Sequence, residues 1–336
     1  MRKICIFILL IAEPYGSIIQ WLFGKEVRLM AIGTVSIIGL GAEGSVAYYA
    51  ARKTLDSEHV RVIAKGERAE RLKKEGIIIN KKTYELNVVS PGEGEARPDL
   101  LIVAVKGYNL PDILDDIEKE LGEKTVIMSM INGLSSEETL ARRFGPERVI
   151  YSMSKINSKK CANRVDFKPF GQVAVGEKDG SVSQRAKDIY ALFSSCLPAQ
   201  LSTDIYLDIW RKYMMNSACN TVEAIFHGQH CWFQKIPEAC DAMRCVMCEI
   251  KTLANKMGIG IKESDIDDVI ETFENYAPDG MCSMVQDVLN KKPTEIDMFM
   301  GEAMRMGEQY GVSLPVCRFV YDIIKSFDKV NAGVLD

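Results

Sequence analysis

The apolar residues change period partway along the chain, and that change divides it. Between Thr34 and about Gly180 they fall in short runs bounded by glycine, proline or charge, too short for helices and suited to buried strands. Val35–Ile38, Val60–Ala64, Asp99–Val105 and Thr125–Met130 are such runs, and Gly76–Asn80 with Tyr84–Val89 reads as a strand pair across a Lys81-Lys82 turn. Ser45–Arg52 and Pro111–Leu121 read as helices between them, so this segment predicts an open α/β sheet. After Gly180 the strand signals thin out and long helical patterns take over, among them Asp208–Phe226 and Pro237–Met257. The predicted organisation is an N-terminal extension over 1–30, an α/β domain over 31–203 and an all-helical domain over 204–336.

Composition adds exclusions. With 336 residues, 47% hydrophobic and 26% charged, the chain is neither disordered, collagen-like nor a multi-span membrane protein. A net charge of −4 offers no basic footprint for nucleic acid. Ten cysteines scattered along so long a chain favour reduced thiols and a cytoplasmic setting over a disulfide framework. The first thirty residues stand apart. Arg2-Lys3 and the apolar run Ile4–Ala12 have the flank and core of a signal peptide, but Glu13-Pro14 follows where a small-residue cleavage site belongs. The run is also too short to span a bilayer. The other reading is a misassigned start, with Met30 as initiator ahead of the first strand.

Candidate chemistry begins at Gly39-Leu40-Gly41-Ala42-Glu43-Gly44, which follows the first predicted strand and opens the first predicted helix. That is the context a dinucleotide fingerprint needs, although a plain strand-to-helix turn shares the pattern. The first glycine permits the tight turn, the second lets backbone approach the pyrophosphate, and the third lets helix pack on strand. The predicted fold is therefore a Rossmann-type dinucleotide-binding domain followed by an all-helical C-terminal domain. Lys65 closes the second strand and Arg68 follows, where an NAD site would place a carboxylate. Cations there pair with a 2′-phosphate, so NADPH is the expected cofactor; the alternative is solvated charge opening a helix, and the intervening Glu67 weakens the case slightly. Lys106-Gly107 and Asn132-Gly133 stand just past the carboxyl ends of later strands, where ligands sit in such sheets, although a solvated strand end and a turn pair read equally well. In the helical half, Lys212, Asn216 and Asn220 recur at i, i+4 and i+8. Asparagine is a mediocre helix former, so this stripe points to a polar wall facing a ligand rather than solvent. Ser283 with Gln286 predicts a capping box, and Thr294 a second N-cap with Glu295 in the first turn.

Taken in order, these residues resemble the ketopantoate reductase (2-dehydropantoate 2-reductase) family, from about Thr34 to about Ile324. The marks are Gly39–Gly44, Val105-Lys106, Ile131–Leu134, Val175–Glu177, Trp210–Lys212 with Asn216 and Asn220, Ser283–Asp287 and Thr294–Asp297. The resemblance implies an NADPH domain joined to a helical domain, with the reduction of a 2-keto acid in the cleft between them. It implies Lys212 as the general acid and Glu295 as the group ordering substrate and lysine. It further implies Asn132 on substrate or cofactor, Asn216 and Asn220 on substrate polar groups, Ser283 on the substrate carboxylate, Lys106 near the cofactor, and a homodimer. One position departs from the family pattern: Gly280 stands where ketopantoate-reducing members commonly carry asparagine, which removes an expected substrate donor.

Two other readings compete. His227, His230, Cys231, Cys240, Cys245 and Cys248 have the chemistry of zinc ligands, but their spacing fits no strong template and the CxxC falls within a predicted helix, so no metal is expected. An NADPH sensor would keep the fold without the chemistry, and the retention of both Lys212 and Glu295 argues against it. The identity of the keto acid stays open, because another member of that substrate class would use the same residues.

Overall fold

The computed structural model describes residues 32–334 apart from 95, 169 and 170. The signal-like run and Met30 lie outside the described residues. Its strands are β1 (Val35–Ile38), β2 (Val60–Ile63), β3 (Ile77–Ile79), β4 (Lys82–Tyr84), β5 (Asn87–Val89) and β6 (Leu100–Val103). They continue with β7 (Val126–Ser129), β8 (Val149–Ser154), β9 (Ser158–Cys161), β10 (Arg164–Phe167), β11 (Val173–Gly176) and β12 (Ala199–Leu201). The main sheet has the order β12-β11-β8-β7-β6-β1-β2-β5, parallel except where β11 meets β8. β1, β2, β6 and β11 are buried along their whole length, which is why they read as continuous apolar runs without alternation. β1 pairs with β2 on one side and β6 on the other, so strand order reverses beside it and a crevice opens past the carboxyl ends of β1 and β6.

One strand expectation needs correction. Tyr84–Val89 is not a single strand. β4 turns back on β3 through Asn80 and Lys81, both at positive φ, while β5 leaves for the main sheet and pairs with β2. β3 and β4 belong to a second sheet, ordered β4-β3-β10-β9, that the sequence pattern does not announce. Its exposed residues follow no clean alternation, because β9 and β4 each keep little of their surface inside.

Helices α1 (Ala42–Thr54), α2 (Gly66–Glu75), α3 (Leu114–Glu120), α4 (Ser136–Phe144) and α5 (Gln184–Ser194) accompany the strands. The predicted helix from Pro111 begins as a 3₁₀ turn, Pro111–Ile113, and only α3 is α-helical. The helical half comprises α6 (Ile205–Phe226), α7 (His230–Lys235), α8 (Pro237–Lys256), α9 (Glu263–Glu274), α10 (Ser283–Leu289), α11 (Glu302–Tyr310) and α12 (Pro315–Asn331). α6 starts where Asp204 caps the Leu207 amide at 3.2 Å and stops where His227 turns left-handed at φ 50°. Trp210, Tyr213, Met214 and Ala218 bury its inner faces, and it touches β8 and β11 as well as α8, α10 and α12. It is the element against which sheet and helices both pack.

Neither predicted cap is as expected. α10 is capped by Cys282 without a side-chain bond; Ser283 is its first residue, and its hydroxyl turns towards Asn220. Thr294 accepts weakly from the Ile296 amide at 3.4 Å and donates to Asp328 at 2.8 Å. The chain then widens into a π-turn, Asp297–Gly301, before α11, a form that often marks a functional segment. Among the described residues no helix is long and apolar enough to cross a membrane.

Glu137 in the first turn of α4 is buried and accepts a hydrogen bond from the Ser136 hydroxyl at 2.7 Å. Burial pushes its carboxyl from 4.5 up to about 7. The folded chain thus holds this proton more tightly than the unfolded chain, and stability falls as pH climbs from 4.5 towards about 7. Glu137→Gln is expected to remove that slope, raising the melting temperature by a few degrees at about pH 8 and leaving it nearly unchanged at about pH 5. Paired thermal melts at the two pH values check this.

Candidate active site

The glycine-rich turn has the shape its chemistry needs. Gly39 sits at φ 94°, and a Cβ there would lie 2.5 Å from the Ala104 carbonyl oxygen. A Cβ on Gly44 would lie 1.9 Å from the Gly39 oxygen, so α1 can lie this close to β1 only with glycine there. Gly41 is open by contrast, with Ala104 O at 3.8 Å its nearest neighbour, which leaves the backbone approachable. No side chain caps α1, so its first N–H groups remain free for phosphate oxygens. These features fit a dinucleotide.

Charge around the turn fits it as well, though not wholly through the expected residues. Lys65 pairs with the buried carboxylate of Asp116 on α3 at 2.6 Å instead of waiting for a phosphate. Arg68 does face a cationic cluster: burial, then the neighbouring Arg71, lowers its pKa. Lys160 on β9 completes the cluster and donates to the Leu40 carbonyl inside the fingerprint. Burial, reinforced by Arg68 and Arg71, brings Lys160 down to about 8. Among the described residues no carboxylate pairs with these three cations, an arrangement that an anion would relieve.

Beside the turn lies a cavity of about 310 Å³, lined by Gly41–Glu43 below and by Lys212, Asn216 and Asn220 above. A cavity of this size suits a small ligand. The polar stripe of α6 therefore faces a cavity rather than bulk solvent. Lys212 Nζ donates to Asn132 Oδ1 at 2.8 Å, joining α6 to the end of β7. Burial lowers the Lys212 pKa against the opposing pull of Glu43 and Glu137. Glu43, within the fingerprint, has its own pKa raised by burial, with Lys212 and Ser154 acting the other way.

Lys106 and Glu295 meet directly. Lys106 Nζ lies 2.8 Å from Glu295 Oε2 and 3.3 Å from Asp287 Oδ2, tying the end of β6 to the helical half. Burial draws the Lys106 pKa down, but Glu295 and Asp287 together hold it above its ordinary value. Glu295 therefore bonds Lys106, not Lys212, and reaches Lys212 only through its field. Ser283 Oγ donates to Asn220 Oδ1 at 3.3 Å, which puts the start of α10 at the same cavity.

Sequence reasoning passed over Lys160, Arg71, Asp287, Glu43 as a titrating neighbour of Lys212, and the pair His230–Glu223. The partners of Lys160 and Glu43 are distant in sequence, while the Glu223–His230 pair spans only seven residues across a helix end; Asp287 stood within a quoted motif as part of a helix start. Of the six proposed zinc ligands, His230 alone joins a cluster of metal-type donors among the described residues, with Glu223 and Cys282. Both Glu223 oxygens are already engaged, one by His230 Nδ1 and the other by the Cys282 amide at 2.8 Å.

Comparison with known proteins agrees with this geometry. The chain matches the family model Ketopantoate reductase PanE/ApbA over residues 35–180 and its C-terminal counterpart over residues 204–328. It is 27% identical over 303 residues to the 2-dehydropantoate 2-reductase of Archaeoglobus fulgidus, covering 89% of this chain and 99% of that one. Its fold is similar to D-mandelate dehydrogenase solved with NADH and anilino(oxo)acetate, at a TM-score of 0.80 and 23% identity over 89% of this chain and 99% of that one. It is also similar to a dimeric ketopantoate reductase from Staphylococcus aureus, at a TM-score of 0.76 and 18% identity over 89% and 99% of the two chains.

The cation cluster generates a test. A hydrogen bond to a charged group is worth about 1.5–3 kcal/mol, so Arg68→Ala is expected to weaken NADPH roughly ten- to a hundredfold. NADH, without the 2′-phosphate, should change little. Fluorescence titration with each dinucleotide measures both.

Proposed function

Because the chain belongs to the ketopantoate reductase family, we propose that it reduces 2-dehydropantoate to pantoate in the cleft between sheet and helices, with Lys212 as the proton donor. The protein is an NADP-dependent oxidoreductase. The observation that carries the reading is the Lys212 ammonium, held by Asn132 at a cavity whose other wall is the dinucleotide turn.

Gly39–Gly44, Arg68 and Lys160 would hold the phosphates, with Lys106 and Asn132 near the reactive end. When bound, the reduced nicotinamide supplies the hydride that converts the keto carbon to an alcohol carbon. Lys212 stabilises the negative charge growing on the carbonyl oxygen and gives it a proton: an N–H bond breaks, an O–H bond forms, and a neutral amine remains. Asn132 Oδ1 accepts from the lysine in both states, so the donor keeps its aim through the transfer. The lowered pKa makes the proton easier to give. Lys106, fixed by Glu295 and Asp287, holds Glu295 at the cavity wall. Asn216, Asn220 and Ser283 supply polar contacts for the substrate carboxylate and its neighbours.

A different 2-keto acid is the second reading, favoured by Gly280 and by the apolar lining from Met215, Cys219 and Met281. A homodimer and a cytoplasmic site of action belong to the same proposal, the dimer supported by the dimeric relative and measurable by light scattering.

NADPH oxidation is expected with 2-dehydropantoate in a panel of 2-keto acids; turnover of another member alone would replace the substrate and keep the mechanism. Lys212→Ala should lower kcat roughly 10²- to 10⁴-fold while NADPH still binds. In the unaltered protein kcat should fall as pH rises through the lysine pKa, with a midpoint below the ordinary 10.5. A chain that only sensed NADPH would show no turnover to lose.

A further inference from the structure

Gly280 leaves a space beside the cavity, and another side chain occupies it. A Cβ at position 280 would lie 2.5 Å from His230 Cδ2 and 2.7 Å from His230 Nε2. Glycine at 280 and histidine at 230 are therefore one arrangement: the imidazole stands where any side chain at 280 would begin. The backbone enforces it, since the His230 amide donates to the Gly280 carbonyl at 3.0 Å and the Cys231 amide to that of Pro278 at 3.0 Å.

The ring is held in a defined orientation. Its Nδ1 hydrogen-bonds Glu223, whose side chain is wholly buried on α6. Phe273 and Tyr276 pack against the ring with centroids at 4.8 and 5.3 Å, which fixes its plane. Among the described residues Nε2 has no hydrogen-bond partner, and His230 lines the cavity that also contains Lys212. Glu223 stands eleven residues after Lys212 on α6, three turns on and on the same face. Lys212 and His230 thus line one cavity, the first on α6 and the second held by Glu223 of the same helix.

We propose that His230 Nε2 reads the end of the substrate remote from its keto group, and that this end carries a hydroxyl. A hydroxyl both donates and accepts, so it pairs with Nε2 in either protonation form of the ring. Glu223 is the positioning residue: one oxygen orients His230, and the other accepts from the Cys282 amide at 2.8 Å, locking α10 to the same corner. The inference rests on the 2-keto acid reading given above and deepens it.

The test compares kcat/KM with NADPH for 2-dehydropantoate and for 3,3-dimethyl-2-oxobutanoate, which differs by loss of the distal hydroxyl. The unaltered enzyme is expected to prefer the hydroxylated acid at least about tenfold, because a site built to bond a hydroxyl rejects the analogue without it. His230→Ala should erase that preference by lowering only the hydroxylated substrate. The double variant His230→Ala/Gly280→Asn, with a carboxamide in the vacated space, should recover part of it. Gly280→Ala alone pushes the ring aside and should erase the preference in the same way, which covers the case in which His230→Ala does not fold. Equal loss on both substrates in the variants, or no preference in the unaltered enzyme, overturns the proposal while leaving the reductase reading intact. No turnover of any 2-keto acid overturns the reductase reading and this inference with it.

Discussion

An ammonium group in the wall of a cleft has to be held without being neutralised. If a carboxylate sat on Lys212 at contact distance, the proton would be bound too firmly to serve as an acid; with nothing there, the charge would be too costly to keep. The structure gives it an amide oxygen, Asn132 Oδ1, at 2.8 Å, and leaves the carboxylates of Glu43, Glu137 and Glu295 to act through their fields. Glu295, which lines the same cavity, is bound by Lys106 instead. That constraint explains why two lysines are needed. In the proposed reaction Lys212 gives the proton, while Lys106 holds Glu295 and ties the end of β6 to the helical half.

The same separation of charge orders the wider site. Cations without carboxylate partners gather at the fingerprint turn, where Arg68, Arg71 and Lys160 surround backbone N–H groups and the positive end of α1. Carboxylates gather about the lysines deeper in. In the proposed site an anionic dinucleotide would be attracted at its phosphate end, and the reacting end would lie among groups whose protonation is tuned by burial. The strand reversal beside β1 puts these two environments side by side, because it aligns the ends of β1, β6 and β7 along one crevice.

Much of this was legible in the chain, for physical reasons. β1 and β6 are buried on both faces, so their apolar runs are unbroken, and the turn after β1 needs glycine for steric reasons that leave their mark in sequence. The α6 stripe was legible because two asparagines there oppose helix propensity. Contacts between distant segments were not legible. Nothing near Lys106 in sequence indicates Glu295 or Asp287, and Lys160 lies on an exposed hairpin whose role depends on a second sheet. The Tyr84–Val89 run was misread because its residues serve two sheets in turn, and periodicity does not register a change of sheet. The capping box at Ser283 failed because the hydroxyl has a better use at the cavity.

Gly280 shows most clearly how a sequence departure is resolved in three dimensions. Taken alone it subtracts a donor from the substrate site. In the folded chain the absence makes room for His230, fifty residues earlier, and Glu223 has the carboxylate geometry to hold that ring and the Cys282 amide at once. A buried carboxylate with only one partner would be a liability; with both oxygens engaged it becomes a fixed corner from which three helices, α6, α7 and α10, take their positions. The substitution at 280 and the histidine at 230 therefore have to be weighed together. In the proposed site, the polar group absent at 280 is replaced by the His230 ring in the same space, so the far wall of the cavity keeps a partner for a substrate hydroxyl while the reaction would proceed at Lys212.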